Sequence, residues 1–283
     1  MQDITRKRWL RLAKIGTVCL ILFMLLRAFE HSNVYHPSTE MELRVDEVGI
    51  PGEDIWLTAD DKIRLNAWYF PSPASSARAQ YAVLFAHGNG GNICHRLNIY
   101  RVWHGMGVNF LAFDYRGYGR SEGKPSEEGT YLDAKAGYDW LIAKGFKPEN
   151  IIVVGESLGG GIASWVAAKH KVGGLVLQSS YTSVPNLGKE LFPFLPVHQL
   201  ASIHYNTLER LPKIKVPLLI LHSRGDTLIR FHHAESNFRA ANEPKLLHEV
   251  YGDHNETFMV GPEAYLQGVE KFLQILESAR EQK

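Results

Sequence analysis

The sequence predicts one α/β domain built on a mostly parallel central sheet, with an antiparallel leading hairpin, helices on both faces and a short cap insertion. Three observations predict it. From residue 81 onward, short apolar runs alternate with segments of helical period, the pattern of buried strands joined by helical crossovers. Ahead of them, residues 55–57 and 63–70 flank the turn-forming Ala59-Asp60-Asp61 and alternate in part through Ile63, Leu65, Ala67 and Tyr69, which reads as a hairpin. Finally, Gly155-Glu156-Ser157-Leu158-Gly159 stands between the apolar run Ile151-Ile152-Val153-Val154 and a helix-like stretch from Gly161 to His170, a strand-turn-helix order. The bulk composition agrees, since 22% charged and 45% apolar residues over 283 positions suffice for a real core. A net charge of +1 argues against a dedicated nucleic-acid binder. The two cysteines, Cys19 and Cys94, exclude a disulfide framework or a cysteine zinc site.

Taken in chain order, residues 1–30 form a separate module. Arg6, Lys7, Arg8, Arg11 and Lys14 precede the uncharged residues 15–26, the basic-then-apolar order of a segment that engages a membrane insertion machinery. Twelve residues reach only about 18 Å as a helix, short of the roughly 30 Å hydrocarbon core and suited to a cleaved signal peptide. Counting from Trp9 to Phe29 gives about 21 residues, enough to span if Arg11, Lys14 and Arg27 snorkel. Arg27-Ala28-Phe29-Glu30-His31 offers no small-residue cleavage site, so the expectation is an uncleaved single-pass signal anchor. The positive-inside rule then keeps the N-terminus cytoplasmic and the rest extracytoplasmic. Residues 31–54 connect this anchor to an α/β domain over 55–279.

Within that domain, residues 81–86, 108–113, 151–154, 174–177, 217–221 and 246–251 are the apolar runs that suit buried parallel strands. Tyr131, Ala134, Tyr138, Leu141 and Ile142 recur at helical spacing, as do Tyr265, Val269, Phe272, Leu273 and Leu276. Residues 181–212 exceed a usual connection and contain Leu191-Phe192-Pro193-Phe194-Leu195-Pro196, so they are assigned as a cap insertion whose apolar part walls a pocket, with plain core as the alternative.

The pentapeptide has the form of a nucleophile elbow, which lifts a serine out of the backbone on a tight turn beside a base. A serine nucleophile needs a histidine to take its proton and an acid to orient that histidine, in the chain order Ser, acid, His for this architecture. Asp226 follows the strand-like Leu218-Leu219-Ile220-Leu221, and His254 follows the next strand in Gly252-Asp253-His254-Asn255. In a parallel sheet these carboxyl ends share one edge, so Ser157, Asp226 and His254 can converge. Backbone amides stabilise the oxyanion of a tetrahedral intermediate, and the assignments are Leu158 from the elbow and Asn89 from the glycine-rich His87-Gly88-Asn89-Gly90-Gly91. Asp253 is the rival acid, and His222, His232, His233 and His248 are rival bases. His87 and the segment from Asp114 to Ser121 are read as loop-shaping, with Gly117 and Gly119 permitting a bend.

Together His87-Gly88-Asn89-Gly90-Gly91, Asp114-Tyr115-Arg116-Gly117-Tyr118-Gly119-Arg120-Ser121, the elbow, Asp226 and Tyr251-Gly252-Asp253-His254 resemble the α/β-hydrolase superfamily. The chain is similar to its branch of monoacylglycerol-lipase-like and serine-aminopeptidase-like proteins, many of them membrane-anchored, over about residues 50 to 278. The resemblance implies a Ser-Asp-His acyl hydrolase with Ser157, Asp226 and His254 at the triad positions. One departure stands out: many relatives follow the acid with two residues and Val-Pro, whereas Thr227-Leu228-Ile229-Arg230 follows here and predicts an altered loop.

The expected activity is hydrolysis of an ester, thioester or related acyl bond on a small-molecule or lipid-like substrate. A peptidase of the aminopeptidase-like type, or a membrane-tethered binding protein on a hydrolase scaffold, are the alternatives. Epoxide or carbon-halogen hydrolysis would call for a carboxylate where Ser157 stands. The histidines lack HExxH spacing, so neither a catalytic metal nor a cofactor is expected. Oligomeric state has no signature in the sequence.

Overall fold

The computed structural model describes residues 2–281, and the side chains of Arg6, Lys7, Arg8 and Arg11 lie outside the described ones. The chain divides into two compact units, Met1–His36 and Pro37–Lys283.

The first unit is one helix, α1 (Gln2–Val34). Its stretch Leu12–Val34, 23 residues at a mean hydropathy of 2.0, is long and apolar enough to cross a membrane, and none of it is buried. It fits a membrane anchor or a signal sequence. The span runs further toward the C-terminus than the Trp9 to Phe29 count, past Arg27 and Glu30, which pair at 2.8 Å.

The second unit is an eight-stranded sheet. Its strands are β1 (Glu53–Thr58), β2 (Arg64–Phe70), β3 (Ala82–Ala86), β4 (Asn109–Phe113), β5 (Ile151–Glu156), β6 (Gly174–Gln178), β7 (Leu218–Ser223) and β8 (Lys245–Val250). Their spatial order is β8-β7-β6-β5-β3-β4-β2-β1. The hairpin β1-β2 is antiparallel, β2 meets β4 antiparallel, and every pairing from β4 to β8 is parallel.

Strands buried on both faces need apolar residues at every position rather than at alternate ones. In β5, Ile152 and Val154 face a core completed by Tyr100 and Trp103 of α2 (Leu97–Gly105) and by Tyr265, Val269, Phe272, Leu273 and Leu276 of α9 (Pro262–Glu281). The opposite face is covered by α3 (Glu127–Ala143) and α4 (Leu158–Lys169). Gly137 lets α3 settle onto it, since a Cβ there would lie 2.7 Å from Leu84 Cδ1. Tyr131, Ala134, Tyr138 and Leu141 are buried as their spacing predicts, whereas Ile142 is 36% exposed at the edge of the helix face.

Candidate active site

Strand β5 ends at Glu156 and α4 begins at Leu158, leaving Ser157 alone to turn the chain at φ 52°, ψ −114°. A non-glycine residue held in such a region stores roughly 1–3 kcal/mol and persists only where its surroundings fix it. Here the Ser157 amide donates to Gln178 O at 2.9 Å, and Ser180 Oγ donates to Ser157 O at 3.0 Å. The turn also explains its glycines. A Cβ on Gly155 would sit 2.3 Å from Gly159 O, and one on Gly159 would sit 1.9 Å from Ala86 O on the neighbouring strand.

The strand register carries the other two candidates to the same edge: Glu156 pairs with Gln178, Gln178 with Leu221, and Val250 with Ser223. His254 Nε2 lies 3.1 Å from Ser157 Oγ and His254 Nδ1 lies 2.7 Å from Asp226 Oδ2. Because a carboxylate only accepts, the proton sits on Nδ1 and the Nε2 lone pair faces the serine hydroxyl. Asp226 is buried, and its Oδ1 is held by the amides of Leu228 at 3.0 Å and Ile229 at 2.7 Å. The rival Asp253 does not face the imidazole; it accepts from the amides of Thr227 and His254, both at 2.8 Å, and from Thr227 Oγ1. Those amide bonds hold its carboxyl below the usual range. Thr227, part of the departure noted in the sequence, thus ties the acid loop to the base loop. His222 lies within β7, donates from Nε2 to Ile229 O at 2.6 Å, and is kept neutral by burial, which lowers its pKa.

The loop of residues 87–91 lies across the elbow. Leu158 opens α4, so its N–H has no partner within the helix. Around Asn89 the loop is pinned through its carbonyls: Tyr115 Oη donates to His87 O at 2.5 Å, Tyr118 Oη to Asn89 O at 2.9 Å, and Arg96 Nη2 to Gly90 O at 3.1 Å. Arg96 Nε also meets Glu156 Oε2 at 2.5 Å, and the Gly88 amide reaches that same oxygen at 3.4 Å. Glu156 and Arg96 therefore clasp the loop to the elbow, a role that sequence reasoning missed. Glu156 was visible inside the pentapeptide, but nothing in the sequence marks Arg96. The segment from Asp114 to Ser121 shapes the loop as expected, with Gly117 at φ 80° and Gly119 at φ 50° turning the two tyrosines toward it.

Residues 81–213 match the family model for the alpha/beta hydrolase fold. The α/β-hydrolase domain-containing protein WAV2 of Arabidopsis thaliana is 30% identical over 290 residues, covering 91% of this chain and 92% of that protein. The chain belongs to the α/β-hydrolase family. Rv2307c of Mycobacterium tuberculosis is 32% identical to this α/β hydrolase over 272 residues, 94% of this chain and 96% of that protein. The solved esterase Pf2001 of Pyrococcus furiosus shares 25% identity at a TM-score of 0.69, over 85% of this chain and 96% of that one.

In this α/β hydrolase the segment 181–212 folds into α5 (Val184–Leu191), α6 (Val197–Leu200) and α7 (Thr207–Arg210). Glu127 of α3 tethers it by accepting from the amides of His204 at 2.6 Å and Tyr205 at 2.7 Å. Its apolar part is not plain core: Leu191, Phe194 and Leu195 are exposed, Phe194 at 97%.

Proposed function

We propose that this α/β hydrolase is a serine hydrolase that cleaves an ester, thioester or related acyl bond through an acyl-enzyme on Ser157. The observation that carries the reading is the hydrogen-bonded line from Ser157 Oγ through His254 to Asp226 Oδ2. Ser157 Oγ attacks the acyl carbon while His254 Nε2 takes its proton. The oxyanion that forms is met by the backbone amides of Asn89 and Leu158. Collapse expels the leaving group, which receives the proton from His254, and water then repeats the route to free the acid. Asp226 fixes the Nδ1–H tautomer and faces the imidazolium while it exists. A small-molecule or lipid-like acyl substrate is supported by the exposed Leu191, Phe194 and Leu195 on the insertion and by the esterase likeness at 25% identity.

On this reading residues 1–30 are an uncleaved single-pass anchor with a cytoplasmic N-terminus, residues 31–54 connect, and residues 55–279 act on the extracytoplasmic side beneath the insertion 181–212. The length and hydropathy of α1 support the anchor. Ser157→Ala should abolish labelling by a fluorophosphonate probe together with hydrolysis of short aryl esters. Unchanged labelling would sink the assignment. A periplasmic-type reporter that stays inactive after residue 40 would refute the orientation.

A further inference from the structure

Helix α5 of the insertion and helix α8 (His232–Ala240) bring together Glu190, His232 and His233, whose ligand atoms all lie within 4.8 Å of one another. Glu190 Oε1 is 2.9 Å from His232 Nε2 and 3.1 Å from His233 Nε2. A tetrahedral zinc ion with bonds of about 2.0–2.1 Å has donor-to-donor edges of about 3.3–3.4 Å. The two carboxylate-to-imidazole distances thus come within a few tenths of an ångström of two edges of such a tetrahedron.

A second observation points to a ligand. His233 is 1% exposed, and its Nε2, aimed into the cluster, has no aligned hydrogen-bond partner among the described residues. A buried polar atom in that condition is costly and calls for an explanation. On the far side of the ring, Nδ1 lies 2.9 Å from Thr182 Oγ1, which also accepts from Asn186 Nδ2. Metal-bound histidines characteristically give their other ring N–H to such an oxygen, which fixes the tautomer and bares the ligating lone pair. In the alternative tautomer Nδ1 accepts from the Thr182 amide, 3.2 Å away, and Nε2–H faces Glu190. The amide bond favours this second tautomer, so binding a cation must move the ring proton from Nε2 to Nδ1 and break the contact with the Thr182 amide.

We propose that Glu190, His232 and His233 form a site for a divalent cation that staples the insertion to α8, with water as the fourth ligand. Two imidazoles and one carboxylate favour Zn2+ over the all-oxygen coordination of Ca2+ or Mg2+. The site is open to solvent on one side, since the His232 side chain is 51% exposed. The site stands apart from the reading of Ser157 and needs no step of hydrolysis.

The test uses the purified full-length protein, stripped with a chelator and titrated with Zn2+ against a chromophoric competitor. One Zn2+ per chain should bind and raise Tm. His232→Ala and Glu190→Gln should each weaken that site on the order of tenfold or more, as removing a ligand or its support does, and should remove the Tm rise. His198→Ala, at an exposed histidine elsewhere in the insertion, should change neither. Because His232 is half exposed, its variant leaves the packing intact. Absence of Zn2+ uptake by the wild type, or equal uptake and Tm rise in the two ligand variants, overturns the proposal.

Discussion

Replacing Arg96 with Met separates what the Glu156 clasp does for stability from what it does for turnover. The side chains of Arg96 and Glu156 are largely buried, at 15% and 14% exposure, and their charges meet at 2.5 Å. Removing one partner of a buried pair leaves the other uncompensated, which costs roughly 3–5 kcal/mol. For a domain of this size that corresponds to a fall in Tm of about 6–20 °C. Arg96→Met also removes the donor to Gly90 O, so the loop carrying the Asn89 amide loses one of its holds on the elbow. On the proposed role of Asn89, losing that oxyanion donor costs about 2.7–4 kcal/mol, or roughly a hundredfold to a thousandfold in kcat. The double variant Arg96→Met, Glu156→Gln removes the stranded charge and should recover most of the stability, since a buried pair replaced as a unit is often neutral. It should not recover kcat, because Gly90 O is then no longer tied through Arg96 to the side chain at 156. Thermal melts and aryl-ester kinetics on the two proteins decide the matter. A double variant that matches the wild type in kcat while regaining its Tm would show that the clasp serves folding alone.

Three further outcomes follow from the same geometry. Asp226→Asn puts an amide N–H where Oδ2 now accepts from His254 Nδ1, favouring the wrong tautomer, and should lower kcat about 10⁴-fold with the melt little changed; retained turnover would point to another acid. In Gly159→Ala the new Cβ meets a backbone oxygen rather than a flexible side chain, so β3 and α4 must separate and the unfolding free energy from urea melts should fall by at least the roughly 1–3 kcal/mol of ordinary overpacking; a midpoint within error of the wild type would contradict the close approach. Burial lowers the pKa of His222 in the fold, against the opposing pull of the Ile229 carbonyl and the Asp226 carboxylate, while an unfolded histidine titrates at about 6.5. The unfolded chain therefore binds the extra proton, and stability that is complete above about pH 6.5 is lost as pH falls toward the folded pKa, by at most about 1.4 kcal/mol per pH unit for this residue. His222→Gln should flatten that slope in urea unfolding between about pH 7.5 and pH 5.5, and an unaltered slope would assign the effect to other histidines.

What could be read in the sequence and what could not divides along one physical line. Strands β3 to β7 were legible because a strand covered on both faces must be apolar throughout, as in Ile151-Ile152-Val153-Val154, and no partner need be known to see it. Ser157, Asp226 and His254 were placed by the same logic: each follows a recognisable strand, and parallel strands end on one edge. Their meeting within 3.1 Å is a consequence of register more than of local sequence. The side chains that hold the site in place escaped notice because their pairing is set by packing between elements. Arg96 and Glu156 are 60 residues apart, and Tyr118 and Asn89 are 29 apart, with no periodicity to connect them. The apolar residues 191–195 are the opposite case, a local signal that was clear but pointed two ways. Hydrophobicity alone does not distinguish core from surface, and Phe194 lies at 97% exposure beyond the end of α5, between the prolines at 193 and 196. Glu190, His232 and His233 belong with the clasp, since only the meeting of α5 and α8 makes neighbours of a carboxylate and two imidazoles that lie 42 and 43 residues away along the chain.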